Sequence, residues 1–228
     1  MGESFTTADG TQVLLRRSAR ARRMTLRVAR HGGEVVLTLP PRISADEGRA
    51  FAETKSGWLR QVRARMPEAR IAAHGAVLPV AGQGLLITPS PLSSARIAGE
   101  ALLVPENRAA GPVVRAFLKH QAQQALLEAC TRHAAALGKP FRAIALRDTR
   151  SRWGSCTSDA RLMFSWRLAM APYPVLDYVA AHEVAHLAHM DHSPRFWAAV
   201  ERLMPGYAPQ RAWLRQQGDT LLAWRFGD

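Results

Sequence analysis

Residues 172–204, PYPVLDYVAAHEVAHLAHMDHSPRFWAAVERLM, leave the chain little choice of local structure. Pro172 and Pro174 open a helix, because a fixed φ and a missing N–H are tolerated in a first turn. Ser193 and Pro194 form an N-cap and first-turn pair that starts a second helix. The first helix must therefore end near Ala188–Asp191, which leaves His192 on a bend. Four of the chain's eight histidines fall in this stretch.

Their spacing has chemical content. A helix turns about 100° per residue, so His182 and His186, four apart, point the same way one turn apart and can share one metal ion. Glu183 projects differently, near enough to act on a metal-activated water without being a ligand. Two imidazoles plus an adjacent carboxylate base suit metal-assisted hydrolysis. A catalytic zinc takes three protein ligands, and His189 and His192 compete for the third place. His189 sits on a similar face but about 4.5 Å further along a straight helix, whereas a bend returns His192 to the pair; His192 is favoured. Asp177 and Asp191 are candidates to accept a hydrogen bond from a ligand imidazole. His120 and His133, on a different helix, read as ordinary surface or packing histidines.

The rest of the chain reads as α+β. TQVLLRR, RMTLRVAR and GEVVLTLP, within residues 11–40, are rich in strand formers, with His31–Gly32–Gly33 as a turn between the last two. After Pro40–Pro41 the period changes to that of one helix. Ser44 is its cap, Asp46 and Glu47 suit its first turn, and Phe51, Trp58, Leu59 and Val62 form its stripe. Residues 75–104 turn extended again in short pieces (AVLPV, GLLITPS, ALLVP), and 105–112 reads as a connector. A long helix spans Val113 to about Leu137, with Val114, Phe117, Leu118, Leu126 and Cys130 on its apolar face, stopped by Gly138–Lys139–Pro140. One strand in FRAIALRD and two more in the following segment, joined by a Ser-Asp turn, precede the histidine helix. No internal repeat or low-complexity tract is evident. The expected division is a β-rich domain with one helix over 1–110 and a second domain over 111–228.

Charge narrows the partners. The chain has 31 basic and 18 acidic side chains, and residues 16–30, RRSARARRMTLRVAR, hold seven arginines and no acid. Such a patch invites phosphate. Only three of the basic residues are lysine, so a solvated patch arising from a compositional preference for arginine is the favoured reading. No apolar run reaches the 18 residues of a membrane span, and the start lacks a secretory leader pattern. Two cysteines, Cys130 and Cys156, imply no disulfide framework. A cytoplasmic protein is expected.

RSRWGSCTSDARLMFSWRLAMAP followed by LDYVAAHEVAHLAHMDHSPRFW resembles the YgjP-like metallopeptidases, relatives of the SprT and WLM zinc-dependent proteases. RSARARRMTLRV, VVLTLPPRIS and KSGWLRQ extend the resemblance over most of residues 12–215. It implies a zincin-like catalytic region built from the long helix, a small β-ribbon, the HExxH helix and C-terminal helices. In that region His182, His186 and His192 would hold Zn2+, Glu183 would be the general base, and a protein or peptide would be the substrate. Ser165 stands where the family is expected to carry asparagine, outside the metal motif. Metzincins share the HExxH-x5-H spacing, but they carry glycine at the position of His189.

Arg152, Tyr178, His189 and Arg195 are the candidates to stabilise an oxyanion, and the ribbon around Ser151–Cys156 is a candidate for binding an extended peptide by strand addition, with Trp153 either lining that groove or filling core. Cys156 has no histidine–acid partner set, so a thiol nucleophile is not expected. Two other classes stay open. One is a basic DNA-associated protein using the Arg16–Arg30 patch, acting in SprT fashion on DNA-bound proteins; the other is a non-catalytic zinc scaffold, which would have no need of Glu183.

Overall fold

The computed structural model describes residues 3–29, 33–149 and 151–227. The chain divides into two compact units, Met1–Glu68 and Ala69–Asp228. Its class is α+β, as the mixture of periods implies.

The first unit begins with β1 (Ser4–Thr6), β2 (Gln12–Arg17), β3 (Thr25–Val28) and β4 (Val35–Leu39), in the spatial order β1-β2-β4-β3. Alternation places Val13 and Leu15 of β2, and Val35, Leu37 and Leu39 of β4, on one buried face. The expected turn residues His31 and Gly32 lie outside the described residues. Then come α1 (Ala45–Thr54) and α2 (Ser56–Ala64). Ser44 caps α1 as its sequence position implies: its Oγ accepts from the Glu47 N–H at 3.1 Å, and the Glu47 carboxylate accepts from the Ser44 N–H at 2.8 Å. Gly48 lets α1 lie on the sheet, since a Cβ there would sit 3.0 Å from both Leu39 methyls. The single helix expected after Pro41 is thus two. Thr54 turns its hydroxyl back onto the Phe51 carbonyl at 2.7 Å, and Lys55 leaves helical geometry. Leu59 is fully buried, whereas Trp58 is 43% exposed and is no core residue.

The second unit opens with β5 (Arg70–Ile71), followed by β6 (Val77–Val80), β7 (Gln83–Ser90), β8 (Arg96–Ala98) and β9 (Ala101–Pro105), ordered β6-β7-β9-β8. The long helix α3 runs Ala110–Leu137, so the expected connector already contains its first turn. Gly111 is there because the tail passes close: a Cβ would lie 2.5 Å from the Phe226 carbonyl oxygen. Gly138, at φ 71°, ends the helix in the left-handed region. A second sheet, β10-β12-β11, combines β10 (Ala143–Arg147), β11 (Gly154–Cys156) and β12 (Arg161–Ser165); β12 is parallel to β10 and antiparallel to β11. A 3-10 turn at Trp166–Met170 leads to α4 (Tyr173–Ala185), α5 (Pro194–Leu203), α6 (Ala208–Leu222) and β13 (Trp224–Arg225), which pairs with β5. One core joins Leu78, Ile87, Leu102 and Val104 of the first of these sheets to Val114, Leu118 and Leu126 of α3 and to Phe164, Val184 and Phe196. That core has members on both sides of the boundary expected at 110, and the division into two compact units falls between Glu68 and Ala69.

The two four-stranded sheets share one plan, β1-β2-β4-β3 and β6-β7-β9-β8, with the central pair parallel and both flanks antiparallel. Registers correspond as well: Phe5↔Val13, Leu15↔Leu37 and Leu26↔Leu37 recur as Leu78↔Leu85, Ile87↔Leu102 and Ile97↔Leu102. Each sheet leads into a helix. The chain therefore contains a repeated supersecondary unit, contrary to the sequence reading, in which apolar character recurs and residue identity mostly does not. Among the described residues no helix is long and apolar enough to cross a membrane.

Candidate metal centre

The hairpin between β6 and β7 fixes where α4 begins. Ala81 and Gly82 both have positive φ, their N–H groups donate to the Ala169 and Met170 carbonyls at 2.8 and 3.1 Å, and a Cβ on Gly82 would meet Pro172 at 2.9 Å. From there α4 carries His182 and His186 one turn apart. The helix ends at Ala185, earlier than expected, and a turn continues it: the Leu187, Ala188 and His189 N–H groups donate to Val184, Ala185 and Ala185. Ser193 then caps α5, with Asp191 accepting from the Ser193 N–H at 3.2 Å. His192 stands on the bend between these helices, as the Ser-Pro pair requires.

The bend brings His192 back. One ring nitrogen from each of His182, His186 and His192 lies within 4.8 Å of the others, and the two Nε2 atoms of His182 and His192 are 3.2 Å apart. Two ligands about 2.0–2.1 Å from a tetrahedral zinc are separated by roughly 3.3–3.4 Å, so this edge has the right length for a shared ion. The His186 Nδ1 is 2.9 Å from the His189 carbonyl, which it can approach only as an N–H donor, leaving Nε2 with its lone pair. His189 thus contributes its main chain, and its ring is outside the triad. His182 Nδ1 is buried without a partner, so that ring's polar contact is made at Nε2. Burial, then the neighbouring His186 and His192, push His182 down to about 3, and burial lowers His186 too. Both rings are held neutral, the form that ligates a metal.

Phe196, three residues past the cap of α5, lies fully buried against all three rings, with centroid distances of 4.9, 4.4 and 4.8 Å to His182, His186 and His192. Glu183 is 5% exposed, and burial raises its carboxyl to about 8, with Arg152 pulling the other way. Strand β11 crosses directly over it: a Cβ on Gly154 would fall 2.6 Å from Glu183 Oε1. Burial, with Glu183 nearby, lifts the Cys130 and Cys156 thiols to about 12 and about 11, so neither is an activated nucleophile.

A sequence model described as a YgjP-like metallopeptidase domain matches residues 22–217. The chain belongs to the YgjP-like metallopeptidase family. No curated protein sequence matches it. Among solved structures it is similar to the metallopeptidase zymogen of Pyrococcus abyssi abylysin, at 19% identity and a TM-score of 0.37, over 40% of this chain and 95% of that one.

Several sequence expectations are redistributed. Asp177 does not support a ligand; its Oδ1 is 2.7 Å from His133 Nε2 and also accepts from Arg132. His133, read as ordinary, is buried in this link between α3 and α4. Asp191 is occupied at the α5 cap. Trp153 packs on α6, 3.0 Å from the Cβ position of Gly218. Tyr178 is buried, its ring 6.0 Å from that of His182. Arg152 and Arg195 are exposed. Ser165 is fully buried with its Oγ unpartnered. Phe196 and Gly154 have no place in the ligand pattern read from sequence; the Phe-Trp pair right after Ser193–Pro194 was the one signal available for the first.

Proposed function

We propose that this metallopeptidase is a zinc enzyme in which His182, His186 and His192 hold the ion and Glu183 is the general base. The observation that carries the reading is three imidazole nitrogens converging beside a buried carboxylate. When bound, zinc supplies a Lewis acid that polarises a peptide carbonyl and lowers the pKa of water toward about 7. Glu183 accepts the proton of the attacking water at a carboxylate oxygen and delivers it to the nitrogen of the leaving amine. Phe196 holds the imidazole rings, and the His189 carbonyl fixes the tautomer of His186. Strand β11 is the last in its sheet, so an extended substrate can pair along it, with Gly154 leaving the backbone open over Glu183. Arg152, whose charge reaches Glu183, is the oxyanion donor favoured from the four candidates. A non-catalytic scaffold would give no reason to bury a carboxylate there.

The test compares wild type with Glu183→Gln. Both should bind one zinc, and wild type alone should cleave unstructured protein substrates. Cleavage by the variant at the wild-type rate would overturn the assignment of the base; absence of zinc from both would overturn the centre.

A second reading concerns the arginine patch. The repeated sheet plan provides an internal control: residues 77–105 build the same topology with one arginine, Arg96, while residues 16–30 carry seven. Neither the fold nor a chain-wide arginine preference demands that density. Arg16, Arg17, Arg20, Arg22, Arg23 and Arg27 are exposed; Arg30 lies outside the described residues. A nucleic-acid phosphate backbone fits such a surface. Binding to single- or double-stranded DNA that weakens with salt, and is lost on neutralising Arg20, Arg22 and Arg23 together, would support it. No binding at low salt would end it.

A further inference from the structure

Beside the triad stands a tier of stacked aromatic rings. Tyr178 and Tyr207 lie 5.6 Å apart and 7° from parallel, and Tyr207 and Trp197 lie 5.6 Å apart at 16°. The Trp197 indole is 5.7 Å from His182 and 5.8 Å from His192, ring to ring. Four residues after Tyr207, one turn along α6, Arg211 places its guanidinium carbon 4.5 Å from the centre of that indole. The guanidinium carbon is thus within about 10 Å of the His192 ring, the span of roughly three residues of extended chain.

Among the described residues this cation is paired with no anion. No carboxylate among them forms an ion pair with it; Asp177 is engaged by His133 and Arg132, Asp191 accepts from the Ser193 N–H, and Glu201 accepts from the Gly206 N–H. A positive charge held next to three metal-binding imidazoles opposes a metal cation, and nothing in the fold requires it: its stacking contact with Trp197 would be made equally by an uncharged planar group. The guanidinium is flat and already oriented by the indole, so its donor edges can meet a carboxylate as a fork with little ordering cost.

We propose that Arg211, seated on Trp197, is a carboxylate-binding subsite of the peptidase centre, selecting peptides with a carboxylate within about three residues of the scissile bond. The inference rests on the peptidase reading of the same centre. The carboxylate has two sources, the free C-terminus of the peptide or an Asp or Glu side chain.

The experiment uses the full zinc-loaded chain and paired peptides, one pair differing as C-terminal acid against amide and the other as Glu against Gln flanking the cleaved bond. In wild type, kcat/KM should favour the acidic member of one pair by at least about threefold, carried by KM, as expected for a partly exposed ion pair. In Arg211→Gln that ratio should fall to about one, and in Arg211→Lys, which keeps charge but loses the fork, it should lie between. The pair that shows the preference identifies the source. Chelator competition gives a readout independent of turnover: Arg211→Gln should hold zinc more tightly than wild type. Calorimetric binding of the same peptides to zinc-loaded Glu183→Gln, with and without Arg211→Gln, separates two failures. Acid-dependent binding without cleavage by wild type would sink the peptidase reading and keep the subsite. Equal binding of both members of each pair, or a preference that survives Arg211→Gln, would overturn the subsite.

Discussion

At the residue scale, the site depends on an atom that is missing. Gly154 gives β11 room to cross Glu183, and any side chain there meets Oε1 at 2.6 Å. Gly154→Ala should displace the carboxylate by about 1 Å, a misplacement that costs roughly 100-fold in rate. The histidines would be untouched, so zinc content should stay at the wild-type level, and a parallel loss of zinc would argue against this role. Phe196 makes the complementary case. Phe196→Ala removes a ring in contact with all three imidazoles and should cost about 3–5 kcal/mol of stability. Phe196→Leu keeps apolar volume but not the flat contact, so thermal stability should fall less while zinc affinity drops measurably in chelator competition. The sequence carried His182 and His186 through helical geometry, and His192 through the Ser193–Pro194 restart. It did not carry Phe196, Gly154 or Arg211, because each acts through space rather than through spacing. Asp177 shows the opposite failure: an acid on the right helix whose carboxylate is claimed by His133, a partner 44 positions away.

At the element scale, the start of one helix shapes the centre and the end of another anchors the second unit. The start of α5 sets both the His192 bend and the approach of Phe196. Ser193→Ala removes its cap and should cost about 1 kcal/mol, read as a lower thermal midpoint accompanied by weaker zinc binding. The end of α6 is held by Arg167, which is 5% exposed. It donates to the Leu221 and Trp224 carbonyls at 3.0 Å each, and forms a two-bond pair with Asp148 at 2.6 and 3.2 Å. Its guanidinium also lies 4.7 and 5.4 Å from the Trp166 and Phe226 rings. Removing it strands two buried carbonyls, so Arg167→Met should destabilise by about 3 kcal/mol or more in denaturant titration. Elements with strong punctuation were legible: the Ser44 cap, the proline-led start of α4 and the Gly138 stop all stand where sequence puts them. The break at Lys55 was not, because one threonine hydroxyl folding back on Phe51 leaves no mark on hydrophobic period.

At the scale of the whole molecule, the apolar pattern of residues 77–105 identifies strands without showing which elements they pack against. Composition shifts at 105–112, where Pro, Asn and Gly cluster, yet the strands before it share a core with α3 after it. Loops rich in breakers mark the ends of elements, and only burial decides which elements belong together. The repeated sheet plan was hidden for the same reason. Its two copies keep apolar positions and pairing register while exchanging Phe5 for Leu78 and Val13 for Leu85, and twofold alternation is common to any half-buried strand. Two truncations test the division. A fragment of residues 69–228 retains every member of the second core, and β5 keeps its partner β13. It should unfold cooperatively and bind one zinc. A fragment of residues 111–228 removes Leu78, Ile87, Leu102 and Val104, all nearly or fully inaccessible, and exposes the face of α3 that they cover. Burying four such side chains contributes on the order of 6–12 kcal/mol, as much as the whole net stability of an ordinary domain. That shorter fragment should be aggregated or unfolded by circular dichroism. Cooperative unfolding and zinc binding by 111–228 would move the boundary back to the loop where composition had placed it.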